Sequence, residues 1–222
     1  MGEEKELADP ANYLSEVVHA LRAPWPENRT VHIVCHGHSV PAGYFATPQV
    51  RSLDAYPHLM REALCAKFPH AAFNVIVTAV GGENSEAGAA RFDREVLCHR
   101  PDVITIDYAL NDRRLGLDRA CKAWRSMIEA ALDRGIKVLL LTPTPDVTLS
   151  RDSADGGREL LSHAAQVRDL AEQYGVGLVD SLDACMRRAG PDGLDEILSW
   201  INHPNRAGHQ IVATELMKWF PV

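Results

Sequence analysis

Five short runs, each nearly continuous in apolar and β-branched residues, recur along the chain at 31–35, 74–78, 103–107, 137–141 and 177–179. A strand that is apolar at consecutive positions must be covered on both faces, which is the situation of a parallel strand between two helical layers. Segments with apolar residues at three-and-four spacing separate the runs, at 56–67, 87–98, 117–134 and 157–174, and a last one closes the chain at 207–219. Strand, helix, strand in this rhythm predicts an α/β fold: a doubly wound parallel sheet of five strands joined by right-handed crossovers. Gly135 between a helical segment and a run reads as a C-cap, and Arg100-Pro101 ends the helix before it. A further helical pattern around Tyr13 to Leu21 precedes the first run. The expected organisation is an N-terminal helical extension over 1–29 and one main domain over 30–222.

The 222 residues, 46% hydrophobic and 24% charged, suffice for one well-buried core. A formal charge of -7, with no cluster of Lys and Arg, argues against a nucleic-acid partner. The acidic start Met1-Gly2-Glu3-Glu4-Lys5-Glu6 is not followed by a secretory apolar core, and no run approaches the roughly 20 apolar residues of a membrane span. Five widely spaced cysteines, Cys35, Cys65, Cys98, Cys121 and Cys185, suggest buried free thiols rather than a disulfide framework or a metal site. A cytoplasmic protein is the corresponding expectation.

In a parallel α/β sheet the loops at the carboxyl ends of the strands converge on one edge and carry the chemistry. Ser39, in His36-Gly37-His38-Ser39, follows the first run, Gly81-Gly82-Glu83-Asn84 follows the second, and Asn111, in Ala109-Leu110-Asn111-Asp112, follows the third. His203 opens His203-Pro204-Asn205-Arg206-Ala207-Gly208-His209 before the last helical segment. A serine hydroxyl is a poor nucleophile until a base takes its proton. Of the ten histidines, His32, His36 and His38 lie too close in sequence to Ser39 for in-line transfer, whereas a loop pinned by Pro204 can bring His203 back to the strand ends. Acyl transfer builds charge on the carbonyl oxygen, and the Asn111 amide with the N–H groups of Ser39 and Gly82 are suitable preorganised donors.

With these four blocks the chain resembles the SGNH or GDSL hydrolases, flavodoxin-like esterases and lipases, from about Val31 to the end. The resemblance implies a three-layer α/β/α sandwich, with Ser39 as nucleophile, Gly82 and Asn111 in the oxyanion hole and His203 as base. It implies a carboxylic ester as substrate, an acetylated carbohydrate among the candidates, and no metal or organic cofactor. The chain departs from the family pattern in three places. Gly37-His38-Ser39 stands where Gly-Asp-Ser is usual, Ala109 stands where the third block opens with Gly, and Trp200 occupies the position of the triad acid.

An acid in such a triad fixes the histidine tautomer and stabilises the imidazolium, and disabling it in the serine protease template costs on the order of 10⁴ in kcat. Asp192, Asp195 and Glu196 are candidate replacements. The alternative is a Ser39–His203 dyad in which a backbone carbonyl accepts the imidazole N–H, favoured because a short helix at 194–200 points those acids elsewhere. Trp200 and Arg113 are candidate substrate contacts. Asp112 reads as a loop brace with Arg113 or Arg114 as partner, Asp107 as a buried carboxylate satisfied by a loop amide or hydroxyl, and the loop 142–155 either as a mobile wall over the site or as a plain strand-to-helix connection. The rival to an esterase is a catalytically weakened module of the same fold that binds a glycan or small molecule.

Overall fold

Side chains alternate across a strand, and in this chain both sets are buried. In β1 (Val31–Gly37), Val31, Ile33 and Cys35 join one apolar cluster while Val34 joins the other. In β4 (Lys137–Leu141), Leu139 and Leu141 divide from Val138 and Leu140 in the same way. With β2 (Phe73–Val77), β3 (Val103–Asp107) and β5 (Gly177–Val179) they form one parallel sheet of order β2-β1-β3-β4-β5. The computed structural model describes residues 6–150 and 157–221. The fold is the expected three-layer α/β/α arrangement.

One face is covered by α1 (Ser15–Arg22), α3 (Tyr56–Lys67) and α10 (Arg206–Met217), and the other by α4 (Ser85–Glu95), α6 (Leu117–Leu132) and α7 (Arg158–Tyr174). One-turn helices α2 (Ser39–Ala42) and α5 (Ala109–Asp112) follow β1 and β3 directly. After β5 come α8 (Ser181–Ala189) and α9 (Leu194–Ile197), which bury Cys185, Leu194, Ile197 and Leu198 in a satellite cluster.

Some details differ from the reading of the sequence. β2 is an edge strand and is half exposed, unlike β5 at the other edge, which is mostly buried. Of the cysteines, all free, Cys35 and Cys185 are buried, but Cys65 and Cys98 are exposed and Cys121 is intermediate. The loop after β4 folds inward from Thr142 to Asp146, with Thr142, Thr144 and Asp146 buried, and turns outward at the exposed Val147, while 151–156 lie outside the described residues. No helix among the described residues is long and apolar enough to cross a membrane.

The N-terminal helix joins the main core. Leu14, Val17, Val18 and Leu21 are buried in the same cluster as β1 and α10, and the Tyr13 hydroxyl accepts the Val138 backbone N–H at 3.1 Å. Leu21→Ala is therefore expected to lower the unfolding free energy by about 2–5 kcal/mol in a denaturant titration, the cost of a core cavity. A helix merely appended to the domain would lose almost nothing.

Candidate active site

β1 can approach β3 at its carboxyl end only because residue 37 is glycine: a Cβ there would lie 2.5 Å from the Asp107 carbonyl oxygen and 2.8 Å from Pro41 Cγ. The chain turns at once into α2, whose N-cap is His38, its Nδ1 accepting the Val40 N–H at 3.2 Å. Ser39 thus occupies the first helical position, where the backbone N–H has no intrahelical acceptor. Its side chain is largely buried at the carboxyl edge of the sheet.

His203 reaches the same place from the far end of the chain. A bridge between Leu198 and Pro204, the Ser199 N–H to His203 carbonyl bond of 2.8 Å, and Asn205 capping α10 through the Ala207 and Gly208 N–H groups fix its loop. Its Nε2 lies 3.0 Å from Ser39 Oγ, and its Nδ1 lies 3.0 Å from the carbonyl oxygen of Phe45. A carbonyl can only accept, so Nδ1 carries the proton and Nε2 presents its lone pair to the serine. Burial pushes the imidazole pKa below its ordinary value of 6.5; the Phe45 carbonyl opposes this and His38 adds to it.

Phe45 is held in a tight excursion between α2 and α3. Tyr44 bridges Val50, Phe45 N–H donates to the Gln49 carbonyl at 2.9 Å, and the Arg51 guanidinium lies 3.7 Å over the Phe45 ring. Asp192, Asp195 and Glu196 are all exposed. Asp192 and Asp195 line a neighbouring cavity with Trp200, apart from the imidazole, and Nδ1 is already engaged by Phe45.

The second loop is tied to the first by the Val80 N–H, which donates to the Gly37 carbonyl at 3.0 Å. Gly82 follows with φ +78°, a left-handed turn natural to glycine, and lines the cavity. From the third loop, Asn111 donates one amide N–H to the Glu83 carbonyl at 2.9 Å, leaving the second for a ligand. Glu83 is anchored in turn by Arg91 at 2.6 Å and by the Tyr108 hydroxyl at 2.7 Å, and His36 stands 3.1 Å from that hydroxyl. Burial lowers the His36 pKa to about 4, so it serves this network as a neutral ring.

Asp112 braces the loops by accepting the Ser85 N–H at 2.8 Å and the Trp124 Nε1–H at 2.7 Å. The arginine partner expected for it goes elsewhere: Arg113 pairs with the buried Asp146 at 2.7 Å, because the inward fold of the loop after β4 brings that carboxylate within reach.

Ser39, Gly82, Asn111 and His203 line one cavity of about 820 Å³, with Tyr44, Thr47, Asn84, Leu110, Arg113, Arg114, Glu159 and Asn202. Arg113 is part of its wall, whereas Trp200, half exposed, belongs to the neighbouring cavity. His32, His36 and His38 diverge, to the His99 carbonyl, to Thr78 and Tyr108, and to Asp107 respectively. No group of three or more His, Cys, Asp or Glu among the described residues could hold a metal ion. Phe45, Glu83 and Arg91 escaped the reading of the sequence. A carbonyl acceptor has no residue signature, and the Glu83–Arg91 pair, eight positions apart, is visible only once α4 is placed.

A sequence model of the GDSL-like Lipase/Acylhydrolase family matches residues 35–211. No curated protein matches the sequence. Among solved structures, the chain is similar to Axe2, an acetylxylan esterase from Geobacillus stearothermophilus, with a TM-score of 0.71 at 20% identity over 86% of this chain and 94% of that one. A catalytic mutant of the same esterase gives a TM-score of 0.76 at 19% identity over 90% and 97%. LAE5, an alpha/beta hydrolase enzyme from the metagenome of Lake Arreo, Spain, gives 0.67 at 23% identity over 86% and 94%. These structural likenesses establish the shared fold, and the family match, running from the end of β1 into α10, establishes that the chain belongs to the GDSL-like lipase/acylhydrolase family as a carboxylic ester hydrolase of the SGNH type.

Proposed function

We propose that this chain is a serine esterase that forms an acyl-enzyme on Ser39, removing a short acyl group from a polar alcohol such as a carbohydrate. The observation that carries the reading is the 3.0 Å contact between Ser39 Oγ and the unprotonated Nε2 of His203, in one cavity with Gly82 and Asn111. Ser39 Oγ attacks the ester carbonyl while His203 Nε2 takes its proton. The developing oxyanion is met by the Ser39 and Gly82 N–H groups and by the free N–H of the Asn111 amide. His203 then protonates the leaving alcohol, and it activates the water that releases the acid. The polar side chains around the cavity suit a hydroxylated substrate better than a long acyl chain, and the similarity to an acetylxylan esterase agrees with this choice.

Ser39→Ala and His203→Ala should each lower kcat for p-nitrophenyl acetate by on the order of 10⁴ or more, and Asn111→Ala by about 10²–10³, each unaffected by a chelator. Equal rates in wild type and Ser39→Ala would instead support the binding module. Acetyl esters should be cleaved faster than octanoyl esters; the reverse order would remove the short-acyl assignment.

Catalysis through a dyad also has a pH signature. His203 is active as the neutral base, and its pKa is depressed by burial, so kcat/KM should stay on its plateau below pH 6.5 and fall only as the imidazole protonates at lower pH. A carboxylate against Nδ1 would favour the imidazolium and move the limb above 6.5. A pH profile of kcat/KM between pH 4 and 9 separates the two.

A further inference from the structure

His38 replaces the usual aspartate beside the nucleophile, and its surroundings explain what it does there. The ring is completely buried. Its Nδ1 accepts the Val40 N–H at 3.2 Å and lies 3.4 Å from Ser39 Oγ. A nitrogen that accepts a backbone N–H carries a lone pair, so the ring proton resides on Nε2. Nε2 faces the buried Asp107 carboxylate, 3.3 Å from Oδ1 and off the line of an ideal hydrogen bond. Neither atom has another hydrogen-bond partner among the described residues, and a buried donor and a buried carboxylate oxygen left in that state must satisfy one another.

Asp107 is at this level because the β1–β3 register pairs it with Gly37. Its other oxygen accepts the Tyr56 hydroxyl at 3.3 Å, and the Tyr56 backbone N–H donates to His209 Nδ1 at 3.2 Å. The chain of contacts thus runs from α10, whose entry loop carries His203, through α3 and β3 to the nucleophile. Asp107 was expected to be satisfied by a loop amide or hydroxyl; one partner is indeed a hydroxyl, but it belongs to Tyr56 on α3, and the other is the histidine next to Ser39.

The geometry points to Asp107 and His38 as positioning residues for Ser39: a buried carboxylate–histidine pair that holds His38 in the Nε2–H tautomer, fixes the Ser39–Val40 turn, and leaves the serine proton to His203. The inference rests on the proposed role of Ser39 as nucleophile. In the opposite tautomer, Nδ1–H would oppose the Val40 N–H and donate to Ser39 Oγ, disturbing the cap and turning the hydroxyl away from its base. Among the described residues no carboxylate is hydrogen-bonded to His203, and the serine side of the dyad has one in Asp107, where it orients the nucleophile.

The test is the rate at which a fluorophosphonate labels Ser39, expressed per folded molecule, together with kcat and KM for p-nitrophenyl acetate. In Asp107→Asn the amide can present either a donor or an acceptor to Nε2 and no longer dictates the tautomer. Labelling and kcat should fall about 10- to 100-fold while KM stays within about twofold. The double variant His38→Asn/Asp107→Asn keeps an N-cap acceptor for Val40 and removes the ambiguous ring, and should recover about tenfold or more over Asp107→Asn alone. In the wild-type protein, nitrogen NMR of the imidazoles should show His38 protonated on Nε2, a reading that requires no variant to fold. Protonation of His38 on Nδ1, equal labelling rates in wild type and Asp107→Asn, or a double variant no faster than Asp107→Asn would each overturn the inference. Absence of any labelling of wild-type Ser39 would overturn the nucleophile assignment itself.

Discussion

The pairing of β1 with β3 in the middle of the sheet is the constraint on which the site depends. Both strands are sealed by helices on their two faces, and a slip of one residue would move every apolar side chain to the wrong layer. The register is therefore fixed by the core, and at the carboxyl edge it sets Gly37 against Asp107. From that pairing follow the sharp turn into α2, the meeting of His38 with Asp107, and the neighbouring exit of β3 into the loop of Asn111. The β2 segment is held to the same edge by Thr78 and Val80, which donate to the carbonyls of Cys35 and Gly37 and bring Gly82 alongside. Chemistry-bearing loops from three strands are thus placed by burial energy spent far from any of them.

His203 is positioned by different means. It belongs to no strand, and its ring is held between Ser39 and a backbone carbonyl. A carbonyl fixes the tautomer and plane of an imidazole as well as a carboxylate does, but it brings a dipole in place of a full charge. Orientation is kept and much of the stabilisation of the imidazolium is given up. With burial also disfavouring the charged ring, His203 in the proposed role would be a weaker base than its counterpart in a full triad, available over a wider acid range. The contacts that hold the 44–51 excursion matter for this reason, since a carbonyl proposed in place of the acid is only as well placed as the turn that carries it.

Much of this was legible in the chain because it follows from local pattern. The runs at 103–107, 137–141 and 177–179 are strands with those bounds, and the 56–67 helix keeps its ends. Errors lie where a cap or a tertiary contact decides. α4 begins at Ser85, two residues before its periodicity, because Asn84 caps it through the Ala87 N–H. β1 extends to Gly37 because β3 continues to pair with it. In the candidate site, Ser39, Asn111 and His203 could be named from their loops and do line one cavity, but the groups that hydrogen-bond to them could not be named. Phe45 acts through a backbone atom, Asp146 draws Arg113 across from a loop rather than from its neighbour Asp112, and Asp107 meets His38 only through strand register.

The same register bears on the departure from Gly-Asp-Ser. An aspartate at position 38 would set a second carboxylate against Asp107 in a buried space, where two like charges cannot both remain ionised. Histidine there turns the repulsion into a pair, and the pair acts on Ser39. In this reading the serine lies between two imidazoles with opposite proton assignments, His38 protonated at Nε2 and His203 at Nδ1, each with its unprotonated nitrogen near Oγ. One hydroxyl proton cannot serve both. The Val40 N–H occupies the one lone pair of His38 Nδ1, the distances of 3.0 Å to His203 and 3.4 Å to His38 agree with that occupation, and in the proposed mechanism the proton goes to the ring that can hand it on to a leaving group.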